Sequence, residues 1–193
     1  MDESVRRAMG KWPNVPAVYG WLSLGLDGHW HLRGEPIAHA GLVDFINRNY
    51  ERDERGCWFF QNGPQRGYVM LAYTPWVLHV DDDGTLCTHT GPSVARVDAA
   101  CVDEEGHLLL ATEFGLGLVH AASVAAVSEW LIDESDHRTD ADSFAAALNR
   151  LDAGEPGGLY LRYGGASVAL ERISRREAPE RFGFVPEPQP PEP

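Results

Sequence analysis

Short apolar runs broken by Gly-, Asp- and Pro-bearing turns dominate the chain, and their period is mostly two. Alternation in "YGWLSLGL" and "HWHLR", on either side of Asp27-Gly28, predicts a hairpin of Trp21–Leu26 with His29–Arg33. Behind it, Leu42, Phe45, Ile46 and Asn49 fall at i, i+3, i+4 and i+7 and predict a helix that ends before Gly56. A shorter helix is predicted over Ser4 to Met9, followed by a lead-in carrying Pro13 and Pro16. Strand signals then take over in "CWFFQ", in "RGYVMLAY" after the turn "NGPQ", in "WVLHV" beyond Thr74-Pro75, and in "TLCTHT" after "DDDG".

The second half begins "VDAACVDEEGHLLLATEFGLGLVHAASVAAVSEWLI". It reads as strand, acidic turn, strand, a loop with Gly115 and Gly117, and a helix around Ser123–Leu131. Another helix is expected over Ala141–Leu151, then two strands, "GLYLRY" and "ASVALERI", split by Gly164-Gly165. Gly28-His29 and Gly106-His107 occupy like places in the two halves, as do Gly41-Leu42-Val43 and Gly117-Leu118-Val119. The pattern suggests a duplicated hairpin–helix–strand unit with an extra helix in the second copy; chance likeness between two common motifs is the alternative. The expected class is α+β, mainly antiparallel, with three to four helices. The expected segments are a helix and lead-in at 1–16, a first repeat at 17–92, a second at 97–175, and an extended or disordered Pro-rich tail at 176–193.

Composition narrows the function classes. With 44% hydrophobic residues and six Trp in 193 residues, the chain can bury a sizeable core. Its formal net charge is −13 and its basic residues are scattered, so nothing offers the basic face that nucleic acid or an anionic membrane needs. The start, "MDESVRRAMGKWPNVP", has no apolar core of a secretory signal, and no run is long enough to cross a membrane. Three widely spaced cysteines, Cys57, Cys87 and Cys101, read as reduced, buried thiols of a cytoplasmic protein.

Candidate chemistry is sparse. His29 and His31 share one face of a strand and could hold a metal if His39, His79 or His107 converged on them; a solvated face opposite Trp30 and Leu32 is the plainer reading. Gln65 and Arg66, beyond the Asn62-Gly63 turn, could present a forked donor set to a carboxylate or phosphate. A cleft between the two halves, lined by Trp21, Trp76, Gln65 and Arg66, is the expected ligand site. The turns "DDDG" and "DEEG" lack the ligand spacing of an EF-hand and read as hairpin turns. No local signature of a serine hydrolase, zinc protease or P-loop occurs, so no catalytic residue is assigned.

"DGHWHLRGEPIAHAGLVDFI", "DERGCWFFQNGPQR" and "YTPWVLHV" together resemble the proteobacterial family known as domain of unknown function 1285. A related uncharacterised set carries a similar "WPNVPAVYGWL" and "WFFQNGPQR". The resemblance covers Pro13 to Val80 best and weakens from residue 97. It implies an α+β protein with repeated motifs, no established activity and a suggested part in signalling, and it brings no catalytic residues. The resulting expectation is a cytoplasmic binding or regulatory protein without a cofactor, recognising a small molecule or a protein partner, with a homodimer through exposed strand edges. The competing expectation is an enzyme with a dispersed, metal-assisted site at His29 and His31.

Overall fold

Asp53, Asp81, Asp103 and Asp133 each open a five-residue turn of one geometry. The Asp N–H donates to the carbonyl four residues on, and the fourth residue's N–H donates back to the Asp carbonyl. The carboxylate accepts from the N–H of the fifth residue. The fourth position takes a positive φ, which Gly56, Gly84 and Gly106 supply and Asp136 tolerates at 65°. Gly25–His29 makes the same backbone bonds, with Asp27 supplying the carboxylate to the His29 N–H. These acidic turns therefore spend their charge on their own backbone, as hairpin closures do.

A computed structural model describes residues 2–11 and 16–191; Pro13 of the expected lead-in lies outside them. The chain divides into two compact units, Met1–Pro75 with Gly183–Pro193, and Trp76–Phe182. The first unit carries α1 (Glu3–Lys11), β1 (Val18–Leu24), β2 (Trp30–Leu32), β3 (Glu35–Pro36), α2 (Ala40–Arg48), β4 (Tyr50–Arg52), β5 (Trp58–Asn62) and β6 (Gln65–Leu71). Its six strands run β3-β2-β1-β6-β5-β4, antiparallel except for β1 beside β6. On one face Trp30, Tyr50 and Trp58 pack ring to ring, and α2 sets Phe45 edge-on to Phe60 at 5.4 Å. The Trp30 indole also donates to Asn47 at 2.7 Å.

The second unit carries β7 (Trp76–Val80), β8 (Leu86–Thr88), β9 (Val97–Val102), β10 (Leu108–Thr112), β11 (Gly115–Val119), α3 (Val124–Ser128), β12 (Leu131–Asp133), α4 (Ala141–Asp152), β13 (Leu159–Tyr163), β14 (Ala166–Arg172) and α5 (Ala178–Phe182). Its strands run β12-β13-β14-β9-β10-β11-β7-β8. Six of the eight thus follow the order and directions of the first sheet. The registers agree as well: Leu22↔Val69 and Leu24↔Leu71 in the first sheet match Ala100↔Leu170 and Val102↔Arg172 in the second. Phe59↔Tyr68 and Gln61↔Arg66 likewise match Tyr160↔Ala169 and Arg162↔Ser167.

The elements depart from the sequence expectation in four places. The helix beginning near Gly41 stops at Arg48, where buried Asn49 turns its amide onto the Phe45 carbonyl and Tyr50–Arg52 continues as a strand. Gly115–Val119 is a strand rather than a loop, because a Cβ at Gly117 would lie 2.5 Å from Leu78 Cγ and only glycine lets β11 pair with β7. The expected helix around Ser123–Leu131 shrinks to α3, since Leu131 already belongs to β12. The tail forms α5 and then an extended segment bound to the first unit: Val185 N–H donates to Gly56, and Pro186 accepts from Leu71 N–H. The unit boundary also falls at Pro75, ahead of β7, because β7 pairs with β11 and not with β6.

Candidate functional site

In β1 the partner of Val18 is Gly67 and that of Leu22 is Val69, so the strand holds two extra residues opposite β6. Gly20 absorbs the bulge at φ 74°. Tyr19 is thereby laid flat on Tyr68, with ring centroids 4.5 Å apart and planes 7° apart. Tyr68 follows β6 alternation onto the sheet face away from α2, where buried Cys57 and Phe59 also lie, with Val185 of the tail against them.

The Asp53 turn supplies the polar side of this cluster. Its carboxylate accepts from the N–H groups of Arg55 and Cys57, from Arg55 Nε at 3.2 Å and from the Tyr68 hydroxyl at 3.0 Å. Burial works to raise the Asp53 pKa, but these hydrogen bonds and the Arg55 charge outweigh it and hold it below the usual aspartate value. Arg55 is held charged more firmly than usual, first by the Tyr19 and Tyr68 hydroxyls and then by Asp53. Burial pushes the Tyr68 hydroxyl and the Cys57 thiol up, so both are neutral near pH 7.

Arg66 reaches the same place from β6. Its guanidinium lies 4.4 Å over the Phe59 ring and its Nε donates to Gln61 Oε1 at 3.3 Å. Together Tyr19, Phe59, Tyr68, Arg55, Arg66 and Pro191 border an open cavity of about 530 Å³. That volume lies within the range of small-molecule sites.

A second cavity of about 280 Å³ is lined by apolar groups, among them Trp21, Leu32, Leu42 and Phe60, with Gln65 at its edge. Trp21 is 49% exposed and carries Arg33 stacked on it at 3.8 Å. The structure therefore divides the residues expected to share one cleft. Trp21 and Gln65 border the apolar cavity, and Arg66 borders the arginine–tyrosine cavity. Trp76 is buried within the second unit, its indole donating to Phe114 O at 2.8 Å.

The histidines are placed as local structure. His29 pairs with Asp27 at 3.0 Å, and His31 sits in β2 opposite Ser23. His39 caps α2 by accepting from Leu42 N–H, and His107 pairs with Asp103. Among the described residues, no group of three or more His, Cys, Asp or Glu side chains is arranged to hold a metal ion.

The family held under the name DUF2944, described as "Protein of unknown function (DUF2946)", matches residues 1–189. The chain belongs to this family. The crystal structure of a DUF1285 family protein from Silicibacter pomeroyi DSS-3 is similar to the DUF2944 chain, with a TM-score of 0.55 and 16% identity over 86% of this chain and 87% of that one. At that identity the likeness is one of fold. No curated protein matches the DUF2944 chain. Among its described residues no helix is long and apolar enough to cross a membrane.

Of the residues bordering this cavity, the sequence singled out Arg66 and not Tyr19, Asp53, Arg55, Phe59 or Tyr68. The available signals were Gly20 inside a strand-like run, which marks a bulge, and "DERGC", which repeats the Asp-x-x-Gly spacing of the other acidic turns.

Proposed function

We propose that this protein is a binding module with a regulatory role, and that its first unit holds a small ligand in the arginine–tyrosine cavity. One observation carries the reading. The second sheet repeats the registers of the first and keeps Asp133 and Tyr160 where Asp53 and Phe59 stand, yet the cavity's arginines and Tyr68 have no counterpart there. Arg66 and Tyr68 have Ser167 and Ala169 at the matching positions, and Arg55 of the turn has Ser135. A scaffold requirement would keep these residues in both sheets; a ligand site needs them once. The agreement of registers also supports descent of both units from one duplicated hairpin–helix–strand unit.

A link to signalling, a cytoplasmic location and a homodimer belong to the same reading and rest, in turn, on the family resemblance, on three widely spaced cysteines and on exposed strand edges. The enzyme alternative would need His29 and His31 to gain further ligands or a nucleophile. Native mass spectrometry of protein purified without chelator, before and after denaturation, tests the reading. A retained organic mass that Arg66→Met abolishes is the expected result. A stoichiometric metal lost in His29→Ala/His31→Ala would replace this reading with the enzyme one.

A further inference from the structure

The polar groups around the cavity are not equally available to a ligand. The Asp53 carboxylate is saturated by two backbone N–H groups, Arg55 and the Tyr68 hydroxyl. The Tyr68 proton is thereby committed to Asp53. Arg55 is committed to Asp53 and to the Gln189 carbonyl of the tail. A guanidinium can only donate, so the interaction of Arg55 with Tyr19 uses the Tyr19 oxygen as acceptor and leaves the Tyr19 O–H free to donate outward.

Arg66 differs from Arg55. Its stem and plane are fixed against Phe59, and Gln61 takes its Nε. Among the described residues no carboxylate lies within ion-pairing distance of it, although most arginines of this acidic chain have one. One Arg66 N–H is engaged by the Tyr68 oxygen, and the remaining terminal N–H groups form a fork matched to a carboxylate. Beside the fork stand apolar surfaces, the Tyr19 ring and Pro191, while Phe59 is buried beneath Arg66. Glu51 and Glu54 share the lining and weigh against a second negative charge, and Arg52, which lines it too, has a terminal nitrogen committed to the Gly183 carbonyl.

We infer that the cavity takes a flat-ring organic monocarboxylate, its carboxylate on the terminal nitrogens of Arg66 and the Tyr19 hydroxyl, its ring against Tyr19. This rests on the reading of the cavity as a small-ligand site and adds the class of ligand. The pairing needs no covalent step. The carboxylate meets a guanidinium already desolvated on one face by Phe59, so recognition combines a charge-assisted fork with ring stacking.

Isothermal titration calorimetry on the full chain at pH 7 tests it with one ring and three side-chain charges: indole-3-acetate, tryptophol and tryptamine, with phenyl phosphate as the phosphate arm. Indole-3-acetate binds at least about tenfold tighter than tryptophol, the margin of one charge-assisted hydrogen bond. Tryptamine is weaker still. Arg66→Met keeps the apolar stem on Phe59 and removes that margin, Arg66→Lys keeps the charge without the fork and retains part of it, and Tyr19→Phe keeps the stack and weakens indole-3-acetate severalfold.

Equal binding of tryptophol or tryptamine, unchanged in Arg66→Met but lost in Tyr19→Ala, overturns the ligand class and leaves the cavity a ligand site. Phenyl phosphate tenfold tighter than indole-3-acetate overturns the monocarboxylate in favour of a phosphate. No binding by any probe overturns both the class and the site. If Arg66→Met fails to fold, Arg66→Lys and Tyr19→Phe decide the outcome alone.

Discussion

The Tyr68 hydroxyl donates to Asp53 at 3.0 Å, joining the middle of β6 to the turn between β4 and β5. This bond orients the Tyr68 ring on which Tyr19 stacks, and so it shapes the cavity wall. It also sets a pH dependence. The folded Asp53 pKa lies below the ordinary aspartate value of about 3.9, so as pH falls the unfolded chain takes up this proton first. The stabilisation is complete above that ordinary value and is lost as pH drops through the folded pKa. Asp53→Asn is expected to cost about 1–2 kcal/mol at pH 7. It should also flatten the loss of stability below about pH 4. Urea unfolding of both proteins across pH 3 to 7 checks this, and parallel curves would exclude it.

Gly56 holds the tail at close range. Its φ is 82°, and a Cβ there would lie 2.6 Å from the Gly183 carbonyl oxygen. Arg52 Nη2 donates to that same oxygen at 2.5 Å, and Val185 N–H donates to Gly56. Gly56→Ala should therefore push Gly183–Pro191 away from the Asp53 turn, at a cost of about 1–3 kcal/mol. Hydrogen exchange at the Val185 amide is the readout: protection there should fall sharply while that of β5 stays. Because Pro191 borders the cavity, indole-3-acetate binding should weaken in the same variant.

His89 makes a second pH-sensitive contribution, in the other unit. Burial first, and His79 nearby second, press its pKa down to about 3, and its Nδ1 accepts from Val77 N–H. The folded state therefore keeps this imidazole neutral while the unfolded chain protonates it near pH 6.5. Its stabilisation is full above about pH 6.5 and falls by about 1.4 kcal/mol per unit as pH drops below that value. Wild type should lose about 2 kcal/mol between pH 6.5 and 5, and His89→Gln should lose much less over that interval. Equal losses in the two proteins would mean that His89 charges freely in the folded state.

Much of the architecture was legible because its local codes are strong. Asp-Gly and Asp-x-x-Gly turns between alternating runs announce hairpins, and α2 and α4 show helical spacing. What escaped depended on partners distant in sequence. Gly115 and Gly117 carry no side chain to give a strand signal, and only the approach of Leu78 explains why glycine stands at 117. Tyr50–Arg52 extends a helical-looking run and becomes a strand through pairing with Trp58–Phe60. The tail reads as a solvated Pro-rich segment until its bonds to Gly56 and Leu71 are known.

The candidate site was half legible for the same reason. Arg66 stood out beside a tight turn, as did Gln65. The side on which each falls is set by strand alternation, which sends neighbours to opposite faces. Tyr19, placed by a bulge against a residue of another strand, has no local signature beyond Gly20.

The central claim is that the first unit carries a ligand site which the matching sheet lacks, and tyrosine-resolved NMR tests it most directly. The chain has six tyrosines, among them Tyr19 and Tyr68 at the cavity and Tyr160 and Tyr163 in the second unit. Protein labelled with 13C-tyrosine would be titrated with an equimolar mixture of indole-3-acetate, tryptophol and tryptamine, so that the outcome does not hinge on ligand charge. Saturable shifts of Tyr19 and Tyr68, with Tyr160 and Tyr163 unmoved, are the predicted result. Shifts confined to Tyr160 and Tyr163, or no shift at any tyrosine, would contradict the account.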